Sequence, residues 1–503
     1  MGGRFMRLVS ENDNPVTEHD LQRLAEKMTP DEAEPPTPET GRDPEEDSEI
    51  TAAYTYLGQF VDHDLTFDPT SRLGELLSAT QLSDLDDYRT PRFDLDSLYG
   101  RGPDDQPYLY DSDRIRMLLG EPMSGNPFDL CARQVPRGPD GRALIGDPRN
   151  DENRIVAQLH AIFLRFHNQV ADYLTKTNYL GKEPSFEDVR QQVRWHYQWM
   201  LVTDFLPAVV NEKTYHSIFA DRHKPTHRLP GVQGDLKRMP VEFSVAAFRF
   251  GHSMIRPLYR LNTTIERRPI FSGDSHGGAR VDIAADLGGF RPIPSDWAID
   301  WQFFIKLEPD AECRAISRLY DQIARKPQKA YKIDTSLASP LRDLPRRITP
   351  PPPMLALRNL RRGRTFKLPS GQAMAEALGE HVIAEDKLVI GTATADNQQN
   401  LEPLTDISER FADQAPLWAY ILSEAQVTSW DKPGSGSSLD DIPIKLGPVG
   451  GRIVAGVFAA LLDSDRTSYL KQGAPFTPIA DFTRDGRTFG LAELINVALG
   501  RMP

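Results

Sequence analysis

Cysteine is nearly missing from this 503-residue chain: Cys131 and Cys313 are the only two. That excludes a disulfide framework and any cysteine-based zinc or iron–sulfur site, and leaves at most one bridge between them. Long apolar runs are missing as well. The longest candidate, Ile453 to Leu462, is about half of the ~20 residues needed to cross a bilayer, so no membrane span is expected. Met1 to Ser10 hold no apolar stretch of secretory length. Location is otherwise unmarked, with the cytoplasm as the default and leaderless export or a missing upstream segment left open. Positive charge is in deficit: 59 Lys and Arg stand against 72 Asp and Glu, a formal charge of −13, which argues against nucleic acid or a polyanionic ligand as partner. No internal period of about 20–50 residues recurs, so a solenoid is excluded.

What remains is a soluble composition, 39% hydrophobic and 26% charged, on a chain long enough for a sizeable core. Residues 1–50 are poor in aromatics and rich in Pro, Glu and Asp, above all from Pro30 to Glu49, and read as an acidic, flexible arm. Residues 51–503 read as one large, mainly α domain with long loops and little β. The spacing of Ile155, Leu159, Ile162, Phe163, Phe166, Val170 and Leu174 predicts a long amphipathic helix, with Asn150 or Asp151 as its cap. Further helices are expected over Val193 to Leu206, ending before Pro207, and over Val241 to Met254. Shorter ones are expected at Trp301 to Ile305, Cys313 to Ile323, Ser370 to Leu378 and Pro416 to Ala425, with closing helices at Gly450 to Leu462 and Phe489 to Leu499. Thr428 to Asp441 reads as a mobile Gly/Ser loop. Long loops around helices suit a fold built on a large buried cofactor.

The densest chemistry is Tyr56 to Asp64, Tyr-Leu-Gly-Gln-Phe-Val-Asp-His-Asp. Consecutive helical residues are about 100° apart, so Asp62, His63 and Asp64 point three ways. Gln59 lies one turn before His63 and shares its face; the two can line one pocket while Asp62 and Asp64 serve two others. A polar helix end with a capping Asp is the bland alternative. Downstream, Thr90, Asp94 and Asp96 alternate by two and would share one side of an extended loop. The Arg92 carbonyl joins them in a set of hard oxygen ligands of the kind calcium takes, although such loops are often simply solvated. Arg149 with Glu152, Arg249 with His252, and Asn359 with Arg362 are each three apart and can share a helical face. His160, His167 and His196 sit on amphipathic patterns and read as packing.

Taken together in this order, Gly58 to Asp64, Thr90 to Gly100, Arg149 with Glu152, Phe248 to His252 and Asn359 with Arg362 resemble the animal-type haem peroxidases of the peroxidase–cyclooxygenase superfamily, bacterial branch. The resemblance covers roughly Thr51 to the C-terminus and implies a helical catalytic domain around haem b. It implies that His63 is the distal base with Gln59 beside it, and that His252 is the iron ligand. Asn359 would accept a hydrogen bond from His252, and Arg249 and Arg362 would meet the haem propionates. Asp62 and Glu152 would be sites of possible ester links to haem, and Arg149 would stabilise charge on the departing peroxide oxygen. Asp64, Thr90, Arg92, Asp94 and Asp96 would hold Ca2+. Asn153 replaces the methionine that forms a third haem link in one branch, so that link cannot form. The implied reaction uses hydrogen peroxide and a halide, thiocyanate or phenolic donor, and with an ordinary pKa near ~6.5 His63 would lose activity on acidification. Two alternatives stay open. One is a fatty-acid dioxygenase, disfavoured because Arg249 occupies the place of its radical-forming tyrosine; the other is a non-catalytic calcium-binding or adhesion module.

Overall fold

The computed structural model describes residues 3–11, 15–29, 47–68, 76–271, 286–307, 326–346, 348–391, 401–430 and 444–501. Its centre is the helix Arg154–Thr177, whose expected apolar stripe is buried throughout. The cap is Asn153, whose side chain accepts from Ile155 N (3.0 Å) and Val156 N (2.8 Å). Neither Asn150 nor Asp151 plays that part, because both belong to a preceding 3-10 turn, Pro148–Asp151. Around the central helix pack Ala53–Leu65, Phe186–Met200 and Leu491–Ala498. Phe60 of Ala53–Leu65 stacks on Phe163 with ring centroids 4.4 Å apart and planes 11° apart. That contact pins the helix carrying His63 to the core, and truncating such a ring to Ala typically costs about 3–5 kcal/mol.

Pro448–Ser464 is apolar all round and buried, which lets it serve as a second core helix. Its N-terminal amides, which have no partner within the helix, are met by Glu424 on the helix Leu417–Trp430, whose carboxylate accepts from Val449 N (2.9 Å) and Gly450 N (3.0 Å). The Leu417–Trp430 helix outruns its expected end at Ala425 and takes in Thr428, the start of the expected loop; residues 431–441 of that loop, like the expected helix Cys313 to Ile323, lie outside the described residues. Cys131 is exposed and free. No described helix is long and apolar enough to cross a membrane.

Two expected helices are distorted. The chain does not stop before Pro207; it passes through a π turn, Leu201–Phe205, into Leu206–Val209. The wider turn changes the hydrogen-bond register, so Pro207 stands in a first turn, where its missing N–H is not needed. Val241 to Met254 is likewise a π turn, Glu242–Ala246, followed by a 3-10 stretch, Ala247–His252, with a break at Ala246 (φ −127°, ψ −70°). His252 therefore leaves an irregular segment, not a regular α-helix.

The N-terminal arm is structured in part. Gly3–Met6 is the middle strand of a small sheet, antiparallel to Asp86–Asp87 and parallel to Met239–Pro240. The buried Glu242 carboxylate accepts from Leu8 N (3.0 Å) and Val9 N (3.1 Å). Glu18–Met28 is a helix with a Thr17/Asp20 capping box, packed on Leu355–Thr365. Most of the Pro-rich part, 30–46, lies outside the described residues.

His196 illustrates the packed histidines. Its Nδ1 donates to the Gln192 carbonyl (2.7 Å) and its Nε2 accepts from Ile479 N (3.0 Å), so only the neutral ring fits, and burial lowers its pKa to about 4. The unfolded chain takes up this proton near ~pH 6.5, so the stabilisation is present above that value and is lost as pH falls towards 4. In urea melts the gap between the parent chain and a His196→Gln variant is expected to narrow by about 2–3 kcal/mol between pH 7 and 4.5. Buried carboxyls of opposite sign are common to both chains and cancel. A gap independent of pH would contradict the assignment.

Candidate functional site

A cavity of about 330 Å³ is lined by Gln59, Asp62 and His63, by Glu152 and Asn153, by Arg249 and His252, and by apolar residues such as Ile255, Ile270, Leu341 and Leu344. Five of the sequence-predicted haem-side residues thus meet His63 in one space. Asp62 joins Gln59 and His63 there instead of serving a separate pocket, while Asp64 turns away. The turn bearing Glu152 is held by close backbone contact: Gly289 N donates to Glu152 O (2.9 Å) and Phe290 N to Asp151 O (2.7 Å), and a Cβ at Gly289 would collide with Asp151 O.

His63 is buried near the C-terminal end of Ala53–Leu65. Its Nδ1 lies 2.8 Å from Asn150 Oδ1, and its Nε2 lies 3.6 Å from Glu152 Oε1. Burial, reinforced by the positive charge of Arg149, lowers its pKa to about 3, far from the unperturbed value taken from sequence alone. Asn153 Nδ2 donates to Gln59 Oε1 (2.8 Å), and Gln59 Nε2 in turn donates to Glu152. Burial pushes Glu152 up to about 7 against the opposing charge of Arg149, and raises Asp62, which accepts from Thr66 Oγ1 (3.1 Å).

Arg149 does not line the cavity. Its guanidinium lies over the Phe67 ring (4.4 Å), grips the Asp147 carboxylate (2.8 Å) and donates to the His63 carbonyl (3.0 Å). Asp147, buried and shared with Arg89, is the stronger claim on that side chain, and the sequence spacing could not reveal it.

His252 is held neutral by burial and by the nearby Arg249, with a pKa of about 3. Its partner is Asn359, as expected, but with the amide reversed. Asn359 Oδ1 accepts from Arg249 NH1 (3.1 Å), so Asn359 Nδ2 faces His252 Nδ1 (2.7 Å). Arginine only donates, which leaves the amide no other orientation. Arg362 pairs with Asp68 (3.2 Å), and the neighbouring cavity wall is Arg358, to which the sequence reading gives no role. Burial and mutual repulsion lower Arg249 to about 10.

The loop residues converge. Asp64, Asp94 and Asp96 carboxylate oxygens lie within 4.8 Å of one another, and Thr90 Oγ1 donates to Asp94 Oδ2 (2.8 Å). Asp64 accepts from Leu95 N (3.2 Å) and Ser97 Oγ (3.4 Å). Burial raises all three pKa values, with mutual repulsion adding to the shift of Asp64 and of Asp96, the last to about 7, despite Arg89 and Arg194 nearby. Among the described residues, no hydrogen bond ties the Arg92 carbonyl to this cluster. Two buried carboxyls and a half-buried one are a poor arrangement without a cation and a suitable one for a hard divalent ion.

A profile of the animal haem peroxidase family matches residues 87–276. That stretch holds the acidic loop, Glu152 and His252, but neither His63 nor Asn359. The chain is 31% identical over 146 residues to the probable oxidoreductase PXDNL of Homo sapiens, covering 29% of this chain and 9% of that protein. It thus spans about a tenth of the length of such curated relatives. Among solved structures, peroxidase A from Dictyostelium discoideum superimposes with a TM-score of 0.53 at 17% identity, covering 93% of this chain and 88% of the other. Oryza sativa fatty acid alpha-dioxygenase gives 0.56 at 14% identity, covering 97% and 78%.

Proposed function

We propose that the chain is a haem peroxidase of the animal type that reduces hydrogen peroxide and oxidises a halide, thiocyanate or small phenolic donor, a reading supported by the family profile over residues 87–276 and by the likeness to PXDNL. The observation that carries this reading is that His63 and His252, two imidazoles held neutral by their surroundings, come from separate elements to line one cavity. Iron ligation and general-base catalysis both need a neutral imidazole. Haem fits the remaining wall: aliphatic side chains suit the porphyrin faces, and Arg249 and Arg358 suit its carboxylates.

Haem b, when bound, supplies the redox-active iron at which the peroxide O–O bond is cleaved. His252 would ligate that iron through Nε2, which requires a proton on Nδ1. The Asn359 amide must then turn its oxygen to His252, and Arg249 must exchange Asn359 for another acceptor, a role that a haem carboxylate suits. His63 Nε2 takes a proton from the peroxide and returns it to the departing oxygen. Arg149 acts through its field, keeping His63 neutral. Asp62 and Glu152 are candidates for ester links to haem. The dioxygenase reading needs a radical-forming tyrosine where this chain has Arg249, and the structural likeness to that enzyme speaks to the fold alone.

The test is the absorbance spectrum of the haem-supplied chain before and after one equivalent of hydrogen peroxide. A Soret band that changes within seconds and recovers with added donor is expected. A band indifferent to peroxide would favour a dioxygenase or decayed pocket, and no band would leave a structural module.

Calcium is the second proposed component, held by Asp64, Asp94, Asp96 and Thr90, with the Arg92 carbonyl as a further candidate. Asp94→Ala is expected to lower bound calcium from about one ion per chain to near none. Where the parent is measured at 100 times its dissociation constant, the variant should lose about 3 kcal/mol of stability. Unchanged metal content by elemental analysis would remove the assignment.

A further inference from the structure

We propose that Asn150 and His160 are a positioning pair that fixes the tautomer of His63, leaving its Nε2 lone pair facing the cavity. Three elements converge to build it: His63 from Ala53–Leu65, Asn150 from the 3-10 turn Pro148–Asp151, and His160 from Arg154–Thr177. His63 Nδ1 lies 2.8 Å from Asn150 Oδ1, and Asn150 Nδ2 lies 3.1 Å from His160 Nδ1. Asn150 and His160 are both fully buried, so neither contact competes with solvent.

A side-chain amide has one accepting end and one donating end. Its oxygen can only accept, so the proton of His63 sits on Nδ1 and Nε2 is bare. Its nitrogen can only donate, so His160 Nδ1 is the lone-pair nitrogen and the proton of that ring sits on Nε2. The reverse amide orientation would put a proton on His63 Nε2, where it would point towards Glu152, and would leave no base facing the cavity. Each ring meets this one amide through its Nδ1, so the end of the amide that it faces decides which ring nitrogen carries the proton.

Two observations favour this reading over plain packing. Asn150 is not used as a helix cap, since Asn153 fills that position. His160 is a costly residue for a core site, because its Nε2 has no hydrogen-bond partner among the described residues and it packs edge-on against Phe60 (ring centroids 6.0 Å). Its Nδ1 contact is with Asn150, and a Phe or Leu would otherwise fill that volume at lower cost.

The tautomer is a property of the chain itself, and only its kinetic consequence rests on the peroxidase reading. The first experiment is a long-range proton–nitrogen spectrum of the full-length, haem-free chain labelled with 15N-histidine, its peaks identified from His63→Gln and His160→Phe. Protonated Nδ1 and bare Nε2 are expected for His63, and the reverse for His160. Protonated Nε2 on His63, or an even mixture, would overturn the proposal without any need for a variant that tolerates the loss of Asn150. The second is stopped-flow mixing of haem-loaded chain with hydrogen peroxide. Asn150→Ala is expected to slow that step about tenfold and His160→Phe about threefold, in line with loss of one hydrogen bond. Haem stoichiometry and the later reduction by donor should stay within about twofold, and an unchanged peroxide step in Asn150→Ala would equally sink the pair. If the parent chain shows the expected spectrum yet ignores peroxide, the peroxidase reading fails and the tautomer assignment stands.

Discussion

A His63→Leu chain is expected to bind haem at the parent stoichiometry and to react with hydrogen peroxide about 10²–10⁴-fold more slowly, the usual contribution of a positioned general base. Leucine keeps most of the buried volume, so the loss reads the proton transfer and not a collapsed core. Direction with pH gives an independent check. Burial and Arg149 hold His63 at about 3, so in the parent chain the peroxide step should stay flat from pH 7 to about 4 and fall only as pH approaches 3. A midpoint near ~6.5 would mean that His63 is solvated like a free imidazole, which its burial contradicts. Stability has the matching sign. The unfolded chain binds this proton below ~6.5 while the folded chain resists it to about 3, so the contribution of His63 to stability shrinks across that window.

His252→Ala is expected to abolish haem retention on a desalting column, with affinity reduced by about 10²-fold or more, because the iron loses its protein ligand and keeps only cavity contacts. Free imidazole at millimolar concentration should restore a Soret band in this variant, since the deleted ring leaves room beside the cavity. The change should leave the far-ultraviolet circular dichroism unaltered, because His252 terminates an irregular 3-10 stretch and its ring lines the cavity. Haem retained at the parent stoichiometry would remove His252 as the ligand. The neighbouring residues separate ligation from carboxylate recognition: Arg249 and Arg358 stand on the cavity wall, whereas Arg362 is engaged by Asp68.

Residue spacing was sufficient where function follows one helix or one short loop. Gln59 and His63 share a face because they are one turn apart, and Asp64 is turned off that face towards Asp94 and Asp96. Spacing failed where a charged side chain had a choice of partner. Arg149 was free on paper to face the peroxide, yet the buried Asp147 captures it, and an arginine follows the nearest desolvated carboxylate. The direction of the Asn359 amide was unreadable for the same reason, since Arg249 takes its oxygen. Asn150 and His160 carried no distinguishing signal at all. One stood in a polar run that suggested a helix cap, and the other stood on an amphipathic stripe that suggested packing.

Composition and periodicity by themselves determined a large, mainly helical chain without a disulfide framework, and the order of its polar motifs carried the resemblance to animal-type haem peroxidases. These are local properties: turn geometry, apolar stripes and residues one helical turn apart follow from covalent structure and short-range sterics. Tertiary structure alone decided that residues near 59–63, 152, 249–252 and 358 share one cavity, that the Val241 to His252 segment is wound unevenly, and that the first strand bridges two distant segments. It alone decided the protonation of the two histidines, because desolvation depends on how much of the rest of the chain closes over a ring, a quantity that no spacing along the sequence contains.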